Sequence, residues 1–242
     1  MESVEAERAL VRVRHEWLRR VEAEYRSSVI TQTLTLWMTQ AAVSPDLIAE
    51  GLRIAQDEID HAALSMDVFL AAGGSEMPRI DRDSLTFGRT QGLSLEEDIL
   101  RIALDSFCLG ETVAVPLFRS LREGCTETIA REALDRILKD EVRHRDFGWA
   151  LLTWMLEAEP KRKTLIELLL PNSFRGIRAS YAPAFSGNVD KLPSQAIQWG
   201  LMDRSGYAEA VQKTWERDWQ PRFAKLSIDA RAAWEQALSA SR

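Results

Sequence analysis

The chain of 242 residues has 45% apolar residues, 28% charged residues and a formal net charge of −6. This composition is typical of one large globular domain, and the acidic balance disfavours a nucleic-acid partner. No apolar run reaches membrane-spanning length, and the acidic N-terminus lacks the basic start of a secretory signal. We therefore expect a cytoplasmic protein that binds neither membrane nor nucleic acid.

Two long helices are predicted in the N-terminal part of the chain. Apolar residues spaced by three and four predict a first helix over residues 4–40. Ser44 is suited to cap a second helix, and Pro45 fits its first position. We expect this second helix over residues 45–72, ending at the Gly73-Gly74 pair.

A long connection and a third helix follow. Residues 73–93 show little periodicity, which predicts a crossover. Ser94 and Glu97 then form a capping-box pattern. The third helix is expected over residues 95–122, with a kink at Pro116.

The fourth helix completes the predicted core of the fold. It is expected over residues 127–158, after Gly124 and a cap at Thr126. We expect residues 1–158 to form one helical domain, with residues 159–242 as a helical extension packed on it. The extension is predicted to contain helices over residues 163–170, where Pro171 ends the helix, 194–219 and 227–240.

The most informative motif is Asp-Glu-x-x-His, which occurs twice. It contains Glu58 and His61 in the second helix, and Glu141 and His144 in the fourth. A Glu and a His three residues apart lie on one face of a helix. The two motifs use two of the three histidines in the chain.

Each motif helix follows a helix with one Glu on its apolar stripe, Glu24 in the first and Glu111 in the third. Opposed carboxylates in a core are costly unless they are neutralised. Two divalent cations would neutralise them and accept oxygen and imidazole ligands. The sequence therefore predicts a dinuclear metal site with the ligands Glu24, Glu58, His61, Glu111, Glu141 and His144. The alternative is a set of surface carboxylates on charged helices, without a role in metal binding.

The Asp that precedes each motif Glu has an expected role beside the metal ligands. Metal-bound histidine usually donates its second ring N–H to a carboxylate. We expect Asp57 to accept from His144 and Asp140 to accept from His61. The alternative is that both are exposed helix charges.

The stretches 24–61 and 109–144 resemble the two halves of ferritin-like di-iron carboxylate proteins. The resemblance implies an all-α fold, a four-helix bundle with one long crossover between its second and third helices, followed here by a C-terminal extension. It also implies two bound iron ions, or a manganese–iron pair, that react with O2.

The function implied by the resemblance is an O2-activating oxidase or oxygenase. It would hydroxylate, N-oxygenate or desaturate a small organic substrate, with electrons from a ferredoxin, a flavin reductase or the substrate itself. The alternative is a ferroxidase that handles iron as its substrate. The sequence leaves open the substrate, the metal pair and whether the protein is a homodimer.

Several other residues have two interpretations. We expect His15 to be a surface histidine rather than a metal ligand. We expect Cys108 to be a small core residue rather than a group that faces the metals. Tyr25 is more often packing than a radical site. One helix joining Cys108 and Cys125 would hold them about 25 Å apart, too far for a disulfide. The C-terminal tryptophans indicate a core or a cap over a substrate pocket: Trp199, Trp215, Trp219 and Trp234.

Overall fold

The computed structural model of the chain describes residues 2–75, 78, 80–181 and 192–239. Over these ranges the regular elements are helical and no β-strand occurs, so the all-α class is confirmed. Of the helices described, none combines the length and hydropathy that a bilayer-spanning segment needs. The elements are α1 (Glu2–Gln40), α2 (Pro45–Ala71), a 3-10 helix (Asp83–Leu85), α3 (Leu95–Ile102), a π-helix (Ala103–Glu111), α4 (Thr112–Glu123), α5 (Thr128–Ala158), α6 (Arg162–Tyr181), α7 (Ser194–Gln198), α8 (Arg204–Thr214), a second π-helix (Trp215–Trp219), α9 (Gln220–Lys225) and α10 (Arg231–Ser239).

The chain divides into two compact units. The first comprises Met1–Arg89, Phe118–Asp140 and Asp190–Asp203, and the second comprises Thr90–Leu117, Glu141–Val189 and Arg204–Arg242. Each unit thus contains residues from before and after residue 158, where the sequence analysis separated a bundle from an extension. The predicted bundle with its crossover stays a prediction.

In the first unit, α1 and α2 form a hairpin joined by a short turn. Pro45 occupies the first turn of α2 as predicted, but the Ser44 side chain makes no capping hydrogen bond. The N–H of Leu47, which a side-chain cap would accept, donates instead to the backbone carbonyl of Ser44. The helix ends near the predicted position, where Gly73 has a positive φ of 84°.

The core of the first unit joins the start of α1 to the residues around α7. The indole Nε1 of Trp17 donates to the carbonyl of Trp199 over 3.0 Å. The N–H groups of Thr126 and Glu127 both donate to the carbonyl of Gln198, and α5 then begins at Thr128. The backbone just before α5 is therefore held by residues about 70 positions later in the sequence.

The core of the second unit is a cluster of aromatic rings around Phe174. The rings of Trp215 and Trp234 stack with centroids 4.9 Å apart, and Phe174 meets Trp234 edge-on at 5.3 Å. Trp219 and Phe223 also pack against Phe174, at 5.8 and 6.3 Å. Aromatic pairs with these geometries add to the stabilisation from burial.

Three helix predictions were wrong in detail. Helix α6 continues through Pro171 instead of ending there, because Phe174 lies fully buried in the aromatic cluster. The predicted third helix is interrupted by the π-helix over Ala103–Glu111. The helix predicted over 194–219 breaks after α7, where Gly200 has a φ of 78°.

Candidate metal centre

Three of the predicted ligands meet inside the first unit. Glu24 on α1 and Glu58 and His61 on α2 each offer one ligand atom, and these atoms lie within 4.8 Å of one another. All three side chains are buried, which excludes the surface-charge interpretation for them. A buried carboxylate pair at this separation is costly without a compensating positive charge.

Small and polar residues bring α1 and α2 close together beside this cluster. A Cβ on Gly51 would lie 2.5 Å from Oγ1 of Thr35, so a larger residue there would force the Thr35 side chain to move. The hydroxyl of Ser28 donates to the carbonyl of Ala55 over 3.2 Å. These contacts fix the spacing of the two helices on which the three ligands lie.

The orientation of the His61 ring follows from its two neighbours. Nδ1 of His61 lies 3.7 Å from Oε2 of Glu58, and Nε2 lies 3.3 Å from Oδ2 of Asp140. Nδ1 therefore faces the carboxylate cluster, while Nε2 is placed to donate to Asp140. The Asp-Glu-x-x-His motifs predict this contact between Asp140 and His61.

Arg136 contacts three acidic residues near the Nε2 side of the His61 ring. The sequence did not predict this role for Arg136. Its Nε lies 2.5 Å from Oδ2 of Asp140, and its Nη2 lies 3.8 Å from Asp57 and 4.0 Å from Asp60. The hydrogen bond and charge of Asp140 raise the pKa of the Arg136 guanidinium. Its position four residues before Asp140 was the available signal, since such residues are neighbours on a helix.

The second unit contains the other motif. Nδ1 of His144 lies 3.8 Å from Oε2 of Glu141 on α5, and both side chains are buried. This is the same relation that Nδ1 of His61 has to Glu58. Glu111 is half-buried and is the last residue of the π-helix. The predicted contact of Asp57 with His144 stays a prediction.

The remaining residues with two interpretations differ in their burial. His15 and Tyr25 are exposed, whereas Cys108 is fully buried. Burial raises the pKa of the Cys108 thiol well above its usual range, which suits a core residue. Neither Cys108 nor Cys125 forms a disulfide, as predicted. The four C-terminal tryptophans are buried, which favours their interpretation as core.

Comparison of the chain with protein-family models, with curated proteins and with solved structures gives no match in any of the three. The assignment of a function therefore depends on the residues themselves. Their donor set is a mixture of carboxylate oxygen and imidazole nitrogen, which suits iron, manganese or zinc better than calcium or magnesium.

Proposed function

We propose that this protein is a non-haem dinuclear iron, or manganese–iron, enzyme that uses O2 to oxidise a small organic substrate. The observation that carries the proposal is the buried cluster of Glu24, Glu58 and His61, whose ligand atoms lie within 4.8 Å of one another. A divalent cation there would offset the cost of the two buried carboxylates.

The repeated motif supports a second ion. In each copy the histidine Nδ1 faces the carboxylate of the Glu three residues earlier, at 3.7 Å for His61 and 3.8 Å for His144. In this proposal Glu24, Glu58 and His61 act together with Glu111, Glu141 and His144. Six protein ligands for two ions would leave coordination positions open for O2 or substrate.

The metals would supply O2 binding and electron transfer, and the protein residues would control their surroundings. With Nε2 of His61 protonated, Asp140 accepts a hydrogen bond from it and holds the ring with Nδ1 toward the carboxylates. The burial of Glu58, His61 and His144 keeps bulk water from the ligands. The hydroxyl of Ser65 is buried one turn after His61 and has no hydrogen-bond partner among the described residues.

The test is anaerobic loading with ferrous iron followed by exposure to O2. Mössbauer spectroscopy is expected to show two ferrous ions per chain that convert to a spin-coupled ferric pair. The matched control is Glu58→Gln, which removes one charge from the cluster with little change in volume and is expected to lose the coupled pair. Wild-type protein that gives only uncoupled mononuclear iron would contradict the proposal. Candidate substrates can then be ranked by their effect on the rate of O2 consumption.

A ferroxidase remains the alternative, and the same samples distinguish it. An iron-storing protein would accumulate many ferric ions per chain and elute from gel filtration as a large cage. An oxidase or oxygenase would stop at two ions per chain and elute as a small oligomer.

A further inference from the structure

A π-helix ends at Glu111, the predicted ligand from the third helical segment. In an α-helix the N–H of Thr112 would donate to the carbonyl of Cys108, four residues earlier. Here this N–H donates to the carbonyl of Leu109. The Thr112 N–H that an α-helix would direct to the Cys108 carbonyl is thus used elsewhere, so this carbonyl can accept from a donor outside the helix.

The side chain of Trp219 supplies such a donor. Its Nε1 lies 3.0 Å from the carbonyl oxygen of Cys108, and both residues are fully buried. The indole ring is itself held by packing, with its centroid 5.8 Å from that of Phe174 and 6.1 Å from that of Trp234. The direction of the N–H is therefore fixed by the aromatic cluster.

Two contacts from α5 hold the same segment. A Cβ on Gly148 would lie 2.4 Å from Cβ of Phe107 and 3.0 Å from the backbone nitrogen of Cys108, so only glycine lets α5 come this close. The indole of Trp149 donates to Oγ1 of Thr112 over 2.9 Å. Gly148 lies one turn after the predicted ligand His144. The same stretch of α5 therefore contains a predicted ligand and packs against the π-helix.

We propose that Trp219 is a positioning residue for Glu111: its indole N–H, with the close approach at Gly148, keeps residues 103–111 π-helical. The inference rests on the proposed function for the role of Glu111 as a metal ligand. A π-helical turn accommodates one extra residue, and its loss would turn Glu111 by about 100° against the residues before the π-helix. The aromatic C-terminal core thereby determines where this carboxylate points.

The test uses Trp219→Phe, which removes the N–H donor and retains an aromatic ring. Hydrogen–deuterium exchange of the metal-free chain should show amides in residues 103–113 exchanging about fivefold faster, the effect of losing one neutral hydrogen bond. Anaerobic calorimetric titration with ferrous iron should show one of two ions bound about fivefold more weakly, with the other unchanged.

The matched control is Trp215→Phe, which removes an indole from the same cluster at a ring whose described contacts are with Phe174 and Trp234. It is expected to leave both the exchange of residues 103–113 and ferrous binding as in the wild type. Identical results for the two variants, with two ions bound by the wild type, would overturn the positioning role. Should Trp219→Phe fail to fold, β-(3-benzothienyl)alanine at position 219 keeps the ring size without the N–H and is judged by the same criteria.

The two measurements also separate this inference from the proposed function. A wild-type chain that binds fewer than two ferrous ions would overturn the proposed function and, with it, the ligand role of Glu111. The exchange experiment needs no metal, and in that case it still decides whether Trp219 holds the π-helix.

Discussion

Nε2 of His61 lies 3.3 Å from Oδ2 of Asp140, and both side chains are buried. This contact leaves Nδ1 facing Glu58, so Nδ1 is the ring nitrogen that would bind an ion in the proposed site. Asp140 is in turn held by Arg136 at 2.5 Å. The ring orientation thus depends on a chain of two contacts that ends at a half-exposed arginine.

Loss of the Asp140 charge should weaken metal binding without removing a ligand. We expect Asp140→Asn to lower ferrous affinity by about tenfold or more, because the carboxylate orients His61 and increases its basicity. Anaerobic titration measures the affinity. The control is Asp60→Asn, an exposed carboxylate of the same Arg136 network, which should bind iron like the wild type. Equal affinities for the two variants would show that Asp140 has no such role.

Arg136 should contribute to stability through its three acidic neighbours. Because the side chain is half-exposed, we expect Arg136→Met to lower the free energy of unfolding by only about 1 kcal/mol. The loss should shrink at high salt, which screens these charges. Urea unfolding at two salt concentrations measures it. The control Arg53→Met breaks an exposed pair with Glu50 and should have a smaller effect.

Two glycines should respond to alanine with opposite signs. Gly148→Ala places a Cβ 2.4 Å from Cβ of Phe107, and we expect a loss of about 1–3 kcal/mol in the free energy of unfolding. Gly176 in α6 has no atom within 4 Å of its Cβ position, so Gly176→Ala should stabilise the protein by about 0.5–1 kcal/mol. Thermal unfolding of both variants distinguishes them, and a stabilising Gly148→Ala would contradict the close approach.

Asp105 should make stability depend on pH. Burial raises the pKa of this carboxyl group, and the smaller effects of Ser173 and Arg101 lower it. The folded protein therefore holds the proton more tightly than the unfolded chain. The stabilising effect of the group is complete below the unfolded pKa of about 3.9 and is lost as pH rises through the raised folded value.

Asp105→Asn removes this loss, so the variant should gain stability relative to the wild type between acidic and neutral pH. Urea unfolding at several pH values measures the difference. The control Glu209→Gln concerns an exposed carboxyl group whose pKa is lowered by Lys213, so its effect should be small and of opposite sign. A difference between Asp105→Asn and the wild type that does not vary with pH would contradict the raised pKa.

Local patterns were sufficient to predict much of the helical framework. The apolar stripe predicted α1 and α2 closely, and the capping box of Ser94 with Glu97 is present as expected. The burial of Glu24 followed from its place on the α1 stripe. These features depend on residues that are close in sequence, which is why periodicity and capping rules identify them.

The features that were missed depend on contacts between residues far apart in sequence. The apolar pattern of residues 103–111 predicts an α-helix and gives no sign of the π-helix that ends at Glu111. In the structure, the Cys108 carbonyl within this π-helix accepts a hydrogen bond from Trp219, which lies 111 residues later. Helix α6 passes Pro171 because Phe174 is buried among distant rings. Local propensity rules do not include such tertiary contacts.

The most direct test of the account is the number of metal ions that the metal-free protein binds. Anaerobic equilibrium dialysis against ferrous or manganous salts, followed by elemental analysis, should give two ions per chain. Glu58→Gln should lower this number, because Glu58 lies within the buried cluster with Glu24 and His61. Wild-type protein that retains fewer than two ions per chain would contradict the dinuclear centre and the O2 chemistry proposed for it.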